Sequence, residues 1–171
     1  MGMIALMLRV AETDLDNMLA NSSLLESRFY GEEEEEAGET AEAGGEMIDL
    51  DKAWDGVMYL LSPENRYEGP LSKIIFSGKA VDEAQDFGYG PAHYFSVEDV
   101  SSLNALISVI KPEDLLENFN ADKMNEQGVY PSSWNEDDEE DRDYLIDAFR
   151  EIQKFCASAV ESKQGIVSIL S

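Results

Sequence analysis

Side chains that commonly carry out catalysis are scarce in this chain, which has one histidine and one cysteine. His93 lies in the stretch FGYGPAHYFS (87–96), and its imidazole titrates near neutral pH, so it could act as a general acid or base. The stretch itself supplies no orienting group and no substrate pocket, which favours a strand residue among aromatic neighbours. Its two glycines lack the third glycine and the lysine of a phosphate-binding loop and are expected to form a turn. Cys156 could pair with His93 as a nucleophile, but the apolar helical pattern beside it favours a buried structural thiol.

Three aspartates have a spacing that first suggests a cation site. Asp49, Asp51 and Asp55 resemble the start of an EF-hand loop, but that motif requires a glycine and a glutamate where this chain has Trp54 and Leu60. Asp49 or Asp51 is therefore expected to cap the helix that follows. One histidine and one cysteine do not suffice for a zinc site within the chain. The sequence predicts no catalytic residue, no metal site and no cofactor.

The net charge of the chain favours some classes of binding partner and disfavours others. Its 37 acidic and 12 basic residues give a net charge of −25. Such a surface repels nucleic acids and anionic membranes, so neither is an expected partner, whereas a basic protein is a possible one. Two segments concentrate the charge, namely 31–46 with eight glutamates and NEDDEED at 135–141. The first is expected to be a solvated loop and the second a solvated helix start, with an acidic surface for a basic protein as the alternative for both.

The compartment is expected to be the cytoplasm. One cysteine permits no internal disulfide, which is typical of a reducing environment. The apolar run at 3–8 lacks the basic region and the cleavage site of a secretory signal. No run approaches the roughly 20 apolar residues that span a bilayer.

Hydrophobic periodicity predicts an α+β fold. Short apolar runs predict three strands, MIALMLRV (3–10), PAHYFS (91–96) and IVSIL (166–170). Capping residues and helical spacing predict helices in seven segments: 13–27 with Thr13 as N-cap, 48–62, 69–78, 96–110 with a capping box, 112–119, 121–127 after Asn120, and a long one within 135–165. A small β-sheet that includes both terminal strands would then be covered by helices. One domain over 1–171 is expected, with a glutamate-rich loop or insertion at 31–46.

Several stretches together resemble the YfbM-like family, which is domain of unknown function 1877. They are MGMI at the start, IDLDKAWDGVMYLLS, GPLS, FGYGPAHYFSVEDV and GVYPSSW. Their order and spacing match over nearly the whole chain outside the glutamate-rich segment, and LDKAWDG together with GYGPA is the most specific part. The resemblance implies a small α+β cytoplasmic protein of bacteria. It brings no established activity, substrate or catalytic residue.

Two positions depart from what the resemblance implies. Members of the family typically have histidine where this chain has Met58, and often arginine where it has His93. A thioether cannot accept a proton at neutral pH, so a catalytic base at Met58 would have been lost. A position that alternates between arginine and histidine suits a hydrogen-bond donor or an anion contact better than a general base.

Two functions remain open at this point. The first is a non-enzymatic acidic module that binds another molecule, with a basic protein as the expected kind of partner. The alternative is an enzyme or a small-molecule binder with a pocket where the two densest motifs meet in space. That pocket is expected to be lined by Trp54, Asp55, Tyr89, His93 and Tyr94. A plain soluble domain whose acidity only keeps it dispersed is the background to both.

Overall fold

The structure is a computed structural model that describes residues 2–31 and 46–171. Most of the predicted glutamate-rich loop, residues 32–45, lies outside the described residues. The elements in chain order are β1 (Ala5–Ala11), α1 (Glu12–Ala20), α2 (Leu24–Tyr30), β2 (Met47–Asp49), α3 (Trp54–Leu61), β3 (His93–Phe95), α4 (Val97–Ile107), a 3-10 helix (Pro112–Asn118), α5 (Ala121–Glu126), α6 (Glu139–Glu161) and β4 (Gln164–Leu170).

The four strands form one antiparallel sheet in the order β2-β1-β4-β3. The two terminal strands are its central pair, with a register that runs from Ala5 opposite Leu170 to Ala11 opposite Gln164. The predicted α+β fold, with both terminal strands in a small sheet and a long last helix, is confirmed. Strand β2 was not predicted, because its three residues are too few to show a period of two.

Helices cover both faces of the sheet. Successive side chains of a strand point to opposite faces, so each strand contributes to two apolar clusters. The larger cluster contains Ile166 and Phe95 with the buried residues of α3, α4 and α6. The smaller one contains Val167 and Ile169 with residues of α1 and α2. His93 precedes Phe95 by two residues and therefore lies on the side of the larger cluster.

Two predicted helix starts are confirmed in their capping residues, and a third helix begins within its predicted segment. Ser96 and Asp99 form the predicted capping box of α4, in which each side chain accepts a hydrogen bond from the other residue's backbone N–H. The Asn120 side chain accepts from the Lys123 N–H at the start of α5. The long last helix begins at Glu139, after Asp138, whose side chain accepts from the Glu140 N–H.

The first two predicted helices differ from the structure at their starts. Thr13 is not an N-cap, because α1 continues directly from β1 and begins at Glu12. The predicted helix 13–27 is divided into α1 and α2. Between them Asn21 accepts a hydrogen bond from the Ser23 N–H. Asp49 does not cap α3 but belongs to β2 and accepts a hydrogen bond from the Asp51 N–H.

The segment 69–78 is a series of turns and not the short helix that its sequence predicts. Ile74 and Ile75 are both fully buried, whereas a surface helix buries a single stripe. The chain therefore inserts this segment into the core. It ends in a turn at Gly78, whose φ of +83° favours glycine. This turn brings the chain back towards β3 and shapes the site described below.

Among residues 2–31 and 46–171, none of the helices combines the length and the apolarity that a bilayer crossing requires.

Candidate ligand cleft

The predicted meeting of the two densest motifs occurs beside the edge of the sheet. Trp54 is the first residue of α3 and His93 the first residue of β3. Phe76, from the inserted segment, lies between them. Its ring centroid is 6.0 Å from that of Trp54 and 5.7 Å from that of His93, both edge to face. Such pairs are favourable beyond the area they bury, so the three rings hold one another in place.

Two adjoining cavities open over these rings, with volumes of about 240 Å³ and 250 Å³. Both are lined by Trp54, Phe76, His93 and also Tyr67, so we treat them as one site, the aromatic cleft. The remaining lining residues are Met58, Ser72, Lys73 and Gly78 on one side and Tyr89, Pro91 and Leu170 on the other. The walls are therefore mainly apolar, as in most small-molecule sites.

The protonation of His93 is set by the backbone. The Gly78 N–H donates a hydrogen bond to His93 Nδ1 at 3.0 Å. A backbone amide can only donate, so Nδ1 carries a lone pair and the proton of the neutral ring lies on Nε2. Burial also lowers the pKa of His93 below 6.5, which keeps the ring neutral at pH 7. In the part of the chain that the structure describes, Nε2 has no hydrogen-bond partner, so it is available as a donor.

Asp55 lies behind the cleft wall and is 2% exposed. Its Oδ1 accepts a hydrogen bond from the Tyr67 hydroxyl at 2.9 Å, and its Oδ2 accepts one from the Tyr130 N–H at 2.9 Å. Arg66 Nε is 3.3 Å from Oδ1, and the guanidinium also stacks over the Tyr67 ring at 4.7 Å. Asp55 thus holds Tyr67 in the wall and neutralises Arg66.

Trp54 is held by residues that do not line the cleft. Its ring stacks on Tyr130 with centroids 6.0 Å apart, and its Nε1 donates to the Met3 carbonyl at 3.2 Å. The Met3 N–H in turn donates to the Tyr130 hydroxyl at 2.9 Å. The Tyr130–Pro131 peptide bond is cis. Met3, two residues before β1, and Tyr130 of the segment GVYPSSW therefore orient one wall of the cleft together.

Tyr89 reaches the cleft from a turn that is held by Asp86. Asp86 Oδ1 accepts hydrogen bonds from the N–H groups of Gly88 and Gly90, and these bonds lower the pKa of Asp86. The two glycines have φ values of +124° and +111°, as the predicted turn requires. Tyr89 is 49% exposed and forms the outer rim of the cleft.

The comparisons with known proteins agree with this fold. A family model described as a domain of unknown function, DUF1877, matches residues 1–169. The chain belongs to the DUF1877 family. The crystal structure of YfbM from Escherichia coli, a protein of unknown function, superposes with a TM-score of 0.67 over 99% of this chain and 100% of that one, at 13% identity. No curated protein matches the chain.

In this DUF1877 chain the predicted site residues fall into three groups. Trp54, Tyr89 and His93 line the aromatic cleft, and Asp55 supports it from behind. Tyr94 lies on the other face of the sheet, among residues of the smaller cluster, with Lys79 Nζ 5.8 Å from its ring. The alternation of side chains along β3 separates it from His93. Met58, one of the two positions at which the resemblance implied a different residue, also lines the cleft, like His93.

Several lining residues were not predicted, and three of them matter most for the site, namely Phe76, Tyr67 and Lys73. Phe76 was assigned to a helix, and Tyr67 and Lys73 to no site at all. Their shared signal is weak: they lie in the long irregular stretch between α3 and β3, where four aromatic side chains occur without a period. Irregular segments that carry several aromatic residues are candidates for site walls, because loops often hold binding residues on a rigid scaffold.

The other candidates for chemistry have structural roles. Cys156 is fully buried, and burial raises the pKa of its thiol to about 12, so it is not a nucleophile at neutral pH. Asp49 Oδ1 accepts a hydrogen bond from the Asp51 N–H, and Asp51 Oδ2 accepts one from the Tyr144 hydroxyl. Within the described ranges, no group of three or more histidine, cysteine or carboxylate side chains could hold a metal ion.

Proposed function

We propose that this DUF1877 protein is a non-enzymatic binding protein and that the aromatic cleft is its binding site. The observation that carries the proposal is the hydrogen bond from the Gly78 N–H to His93 Nδ1. It makes the one histidine of the chain a fixed hydrogen-bond donor. A general base needs a free lone pair directed at the substrate, and in this tautomer the free nitrogen carries a proton instead.

Two other candidates for chemistry, Asp55 and Cys156, have structural roles. Both oxygens of Asp55 accept hydrogen bonds from the protein, and Cys156 is a buried thiol in the core. By contrast, the cleft offers what recognition requires, which is aromatic surface with a few directed polar groups. Trp54, Phe76 and Tyr67 provide the surface and His93 Nε2–H provides one donor.

Ligand-observed NMR tests this proposal. Single-ring aromatic compounds and aliphatic compounds of similar size would be screened against the wild type, Phe76→Ala and Val109→Ala. Val109 is 80% exposed and is not a cleft residue, so it serves as the matched control. We expect aromatic compounds to bind the wild type and Val109→Ala, and to lose binding in Phe76→Ala because the central ring is gone.

Two results would contradict the proposal. If no compound binds, or if the same compounds bind Phe76→Ala equally well, the cleft is not the binding site. If a bound compound is converted to a product, and Phe76→Ala stops the conversion, the protein is an enzyme and the non-enzymatic part of the proposal is wrong. Thermal melting of Phe76→Ala would confirm that the variant is folded.

A basic protein partner is the second candidate, and α6 supplies the observation that favours it. Four exposed carboxylates follow one another at i, i+4 spacing along this helix: Glu139, Asp143, Asp147 and Glu151. Like charges at this spacing destabilise a helix, so the stripe has a cost in stability that a cationic partner would offset. Arg150 pairs with Asp147 at 3.0 Å and with Glu113, which neutralises only part of the stripe.

Co-purification from source cells at low salt tests the second candidate. The wild type would be compared with Glu139→Gln, Asp143→Asn and with a control in α1, Glu12→Gln, Asp16→Asn, which removes the same number of exposed charges. We expect a stoichiometric basic protein that is retained by the wild type and the control and is released by the α6 variant. Equal retention by both variants would contradict a role for the stripe.

A further inference from the structure

The aromatic cleft differs in charge from the rest of the molecule. The chain has 37 acidic residues among 171, yet none of the described residues that line the cleft is aspartate or glutamate. Asp55, behind the wall, is buried and bonded to Tyr67 and Arg66. Asp99 lines a separate cavity that Lys73 also borders, and its carboxylate pairs with Lys79. The described lining of the cleft therefore has no carboxylate, although the protein as a whole is strongly acidic.

The charged residue that does line the cleft is Lys73. It is exposed and makes no ion pair with any other described residue. Lys79, six residues further on, shows the contrast, because its Nζ pairs with Asp99 at 2.7 Å. Among the described residues Lys79 is the one lysine with an ion pair, so Lys73 is distinguished by its place in the lining of the cleft and not by the lack of a carboxylate partner. Its ammonium group is free to bind an anion.

His93, a second polar residue of the cleft, also favours a ligand group that accepts hydrogen bonds. His93 is a donor through Nε2–H, since its Nδ1 accepts from the Gly78 N–H. Lys73 Nζ and His93 Nε2 thus both donate hydrogen bonds, and the Tyr89 hydroxyl at the rim can donate one as well. A ligand group that matches them accepts hydrogen bonds, and a carboxylate does so with a complementary charge.

The walls define the rest of the ligand. Each of the two adjoining cavities measures about 240–250 Å³. An apolar cavity of about 150 Å³ holds a benzene ring, so there is room for one ring with a short substituent. Trp54, Phe76 and Tyr67 offer ring surfaces that favour a flat aromatic ligand.

We infer that the aromatic cleft binds a small aromatic carboxylate, with the ring against Trp54 and Phe76 and the carboxylate at Lys73 and His93. This inference rests on the proposed function and specifies the ligand of the same site. Aromatic walls also attract cations, and the net charge of the protein would draw cations to its surface. The ammonium of Lys73 and the missing carboxylates in the lining favour the anion at this position.

Three probes of nearly equal shape test the inference: benzoate, benzamide and benzamidinium, which carry a negative charge, no charge and a positive charge. Binding would be followed by ¹H–¹⁵N NMR at millimolar concentrations. The indole N–H of Trp54 reports on the cleft, whereas that of Trp134, which donates to the Val129 carbonyl, is an internal control. We expect benzoate to bind most tightly, then benzamide, then benzamidinium.

The lysine variants separate charge from shape. Lys73→Met keeps the aliphatic stem, and we expect it to weaken benzoate binding by about two- to fivefold, as is usual for an exposed ion pair, and to leave benzamide unchanged. Lys73→Arg is expected to retain benzoate. Lys154→Met, which removes an exposed lysine of α6 that does not line the cleft, serves as the matched control and should have no effect.

The outcomes distinguish this inference from the proposed function. If benzamidinium binds at the Trp54 signal at least as tightly as benzoate, the cleft is a binding site but the inferred charge preference is wrong. The same conclusion follows if Lys73→Met leaves benzoate binding unchanged. If none of the three probes shifts the Trp54 signal, the inference fails, and failure of the wider fragment screen would then refute the proposed function as well.

Discussion

Two helix starts in this protein carry carboxylates in opposite surroundings. Asp55 lies in the first turn of α3, is 2% exposed and contacts Tyr67, Arg66 and the Tyr130 backbone. Glu139 and Glu140 lie in the first turn of α6 and are exposed. The helix dipole favours both placements. The buried carboxylate shapes a wall of the cleft, whereas the exposed ones set the electrostatic field outside.

The comparison shows why the net charge alone says little about the site. The charge of −25 belongs mainly to exposed carboxylates, whereas the aromatic cleft has none in its described lining. A single buried aspartate affects the shape of the cleft more than many exposed ones, because its interactions are shielded from water. Substitutions in the two regions should therefore change the free energy of unfolding by different amounts, with different signs and with a different dependence on salt.

Asp55→Ala tests the buried side of this comparison and should have the largest effect. The change leaves the Arg66 guanidinium buried without its counter-charge and removes the acceptor of two hydrogen bonds. Loss of one partner from a buried ion pair typically costs about 3–5 kcal/mol in the free energy of unfolding. Urea denaturation of the variant and of the wild type would measure it.

Two controls define the source of that loss. Tyr67→Phe removes only the hydroxyl that donates to Asp55 and should cost about 1 kcal/mol. Asp143→Ala, an exposed change in α6, should stay within about 0.5 kcal/mol of the wild type. A similar free energy for Asp55→Ala and Asp143→Ala would refute the contrast between the two regions.

Gly78→Ala tests how the backbone sets the donor of the cleft. Gly78 has a φ of +83°, and an added Cβ would meet no atom within 4 Å, so conformational strain is the expected cost. That strain amounts to about 1–2 kcal/mol in the free energy of unfolding. Gly128→Ala is a matched control, because Gly128 has a φ of +65° and equally open space but is not a cleft residue.

The two glycine variants should differ in one further property. Only Gly78→Ala should move the NMR titration of His93, because only Gly78 donates to its Nδ1. An unchanged His93 titration in Gly78→Ala would contradict the assigned role of this hydrogen bond. A destabilisation of Gly78→Ala far above that of Gly128→Ala would mean that more than backbone strain is lost.

The parts of the fold that could be predicted are those with a strong local signal. Apolar runs at both ends predicted the two terminal strands of the sheet, and Ser96 with Asp99 predicted a capping box that forms as expected. The meeting of Trp54 and His93 was also anticipated, as both line the cleft. That prediction came from the resemblance and not from periodicity, since no local pattern links residues so far apart.

The parts that could not be predicted depend on tertiary contacts. Phe76 lies in a segment whose helical pattern is overridden by the burial of Ile74 and Ile75 together. The error at Tyr94 is of another kind. Once 93–95 is assigned to a strand, neighbouring side chains must point to opposite faces, so His93 and Tyr94 could not both line one cleft.

The pH dependence of stability tests whether His93 is neutral in the folded protein. Burial lowers the pKa of His93 from 6.5, so the unfolded chain takes up this proton first as the pH falls. The contribution of neutral His93 to the free energy of unfolding is therefore fully present above about pH 6.5. It is lost as the pH falls through the lowered pKa of His93. We expect the melting temperature of the wild type to decrease below pH 6.5. His93→Gln should show no such decrease until the carboxylates titrate, and a decrease of equal size in this variant would contradict the assignment.

Asp143→Lys tests the exposed side of the comparison and should have an effect of the opposite sign. Residue 143 lies one turn from both Glu139 and Asp147 on the exposed face of α6. A lysine there replaces two repulsive i, i+4 pairs by two attractive ones, each worth about 0.2–0.5 kcal/mol, so the variant should be more stable than the wild type. The gain is electrostatic and exposed, so it should largely disappear in 1 M salt, where the screening length is about 3 Å. A gain that persists in high salt would have to come from packing or helix propensity, and the carboxylate stripe would then impose no electrostatic cost for a basic partner to offset.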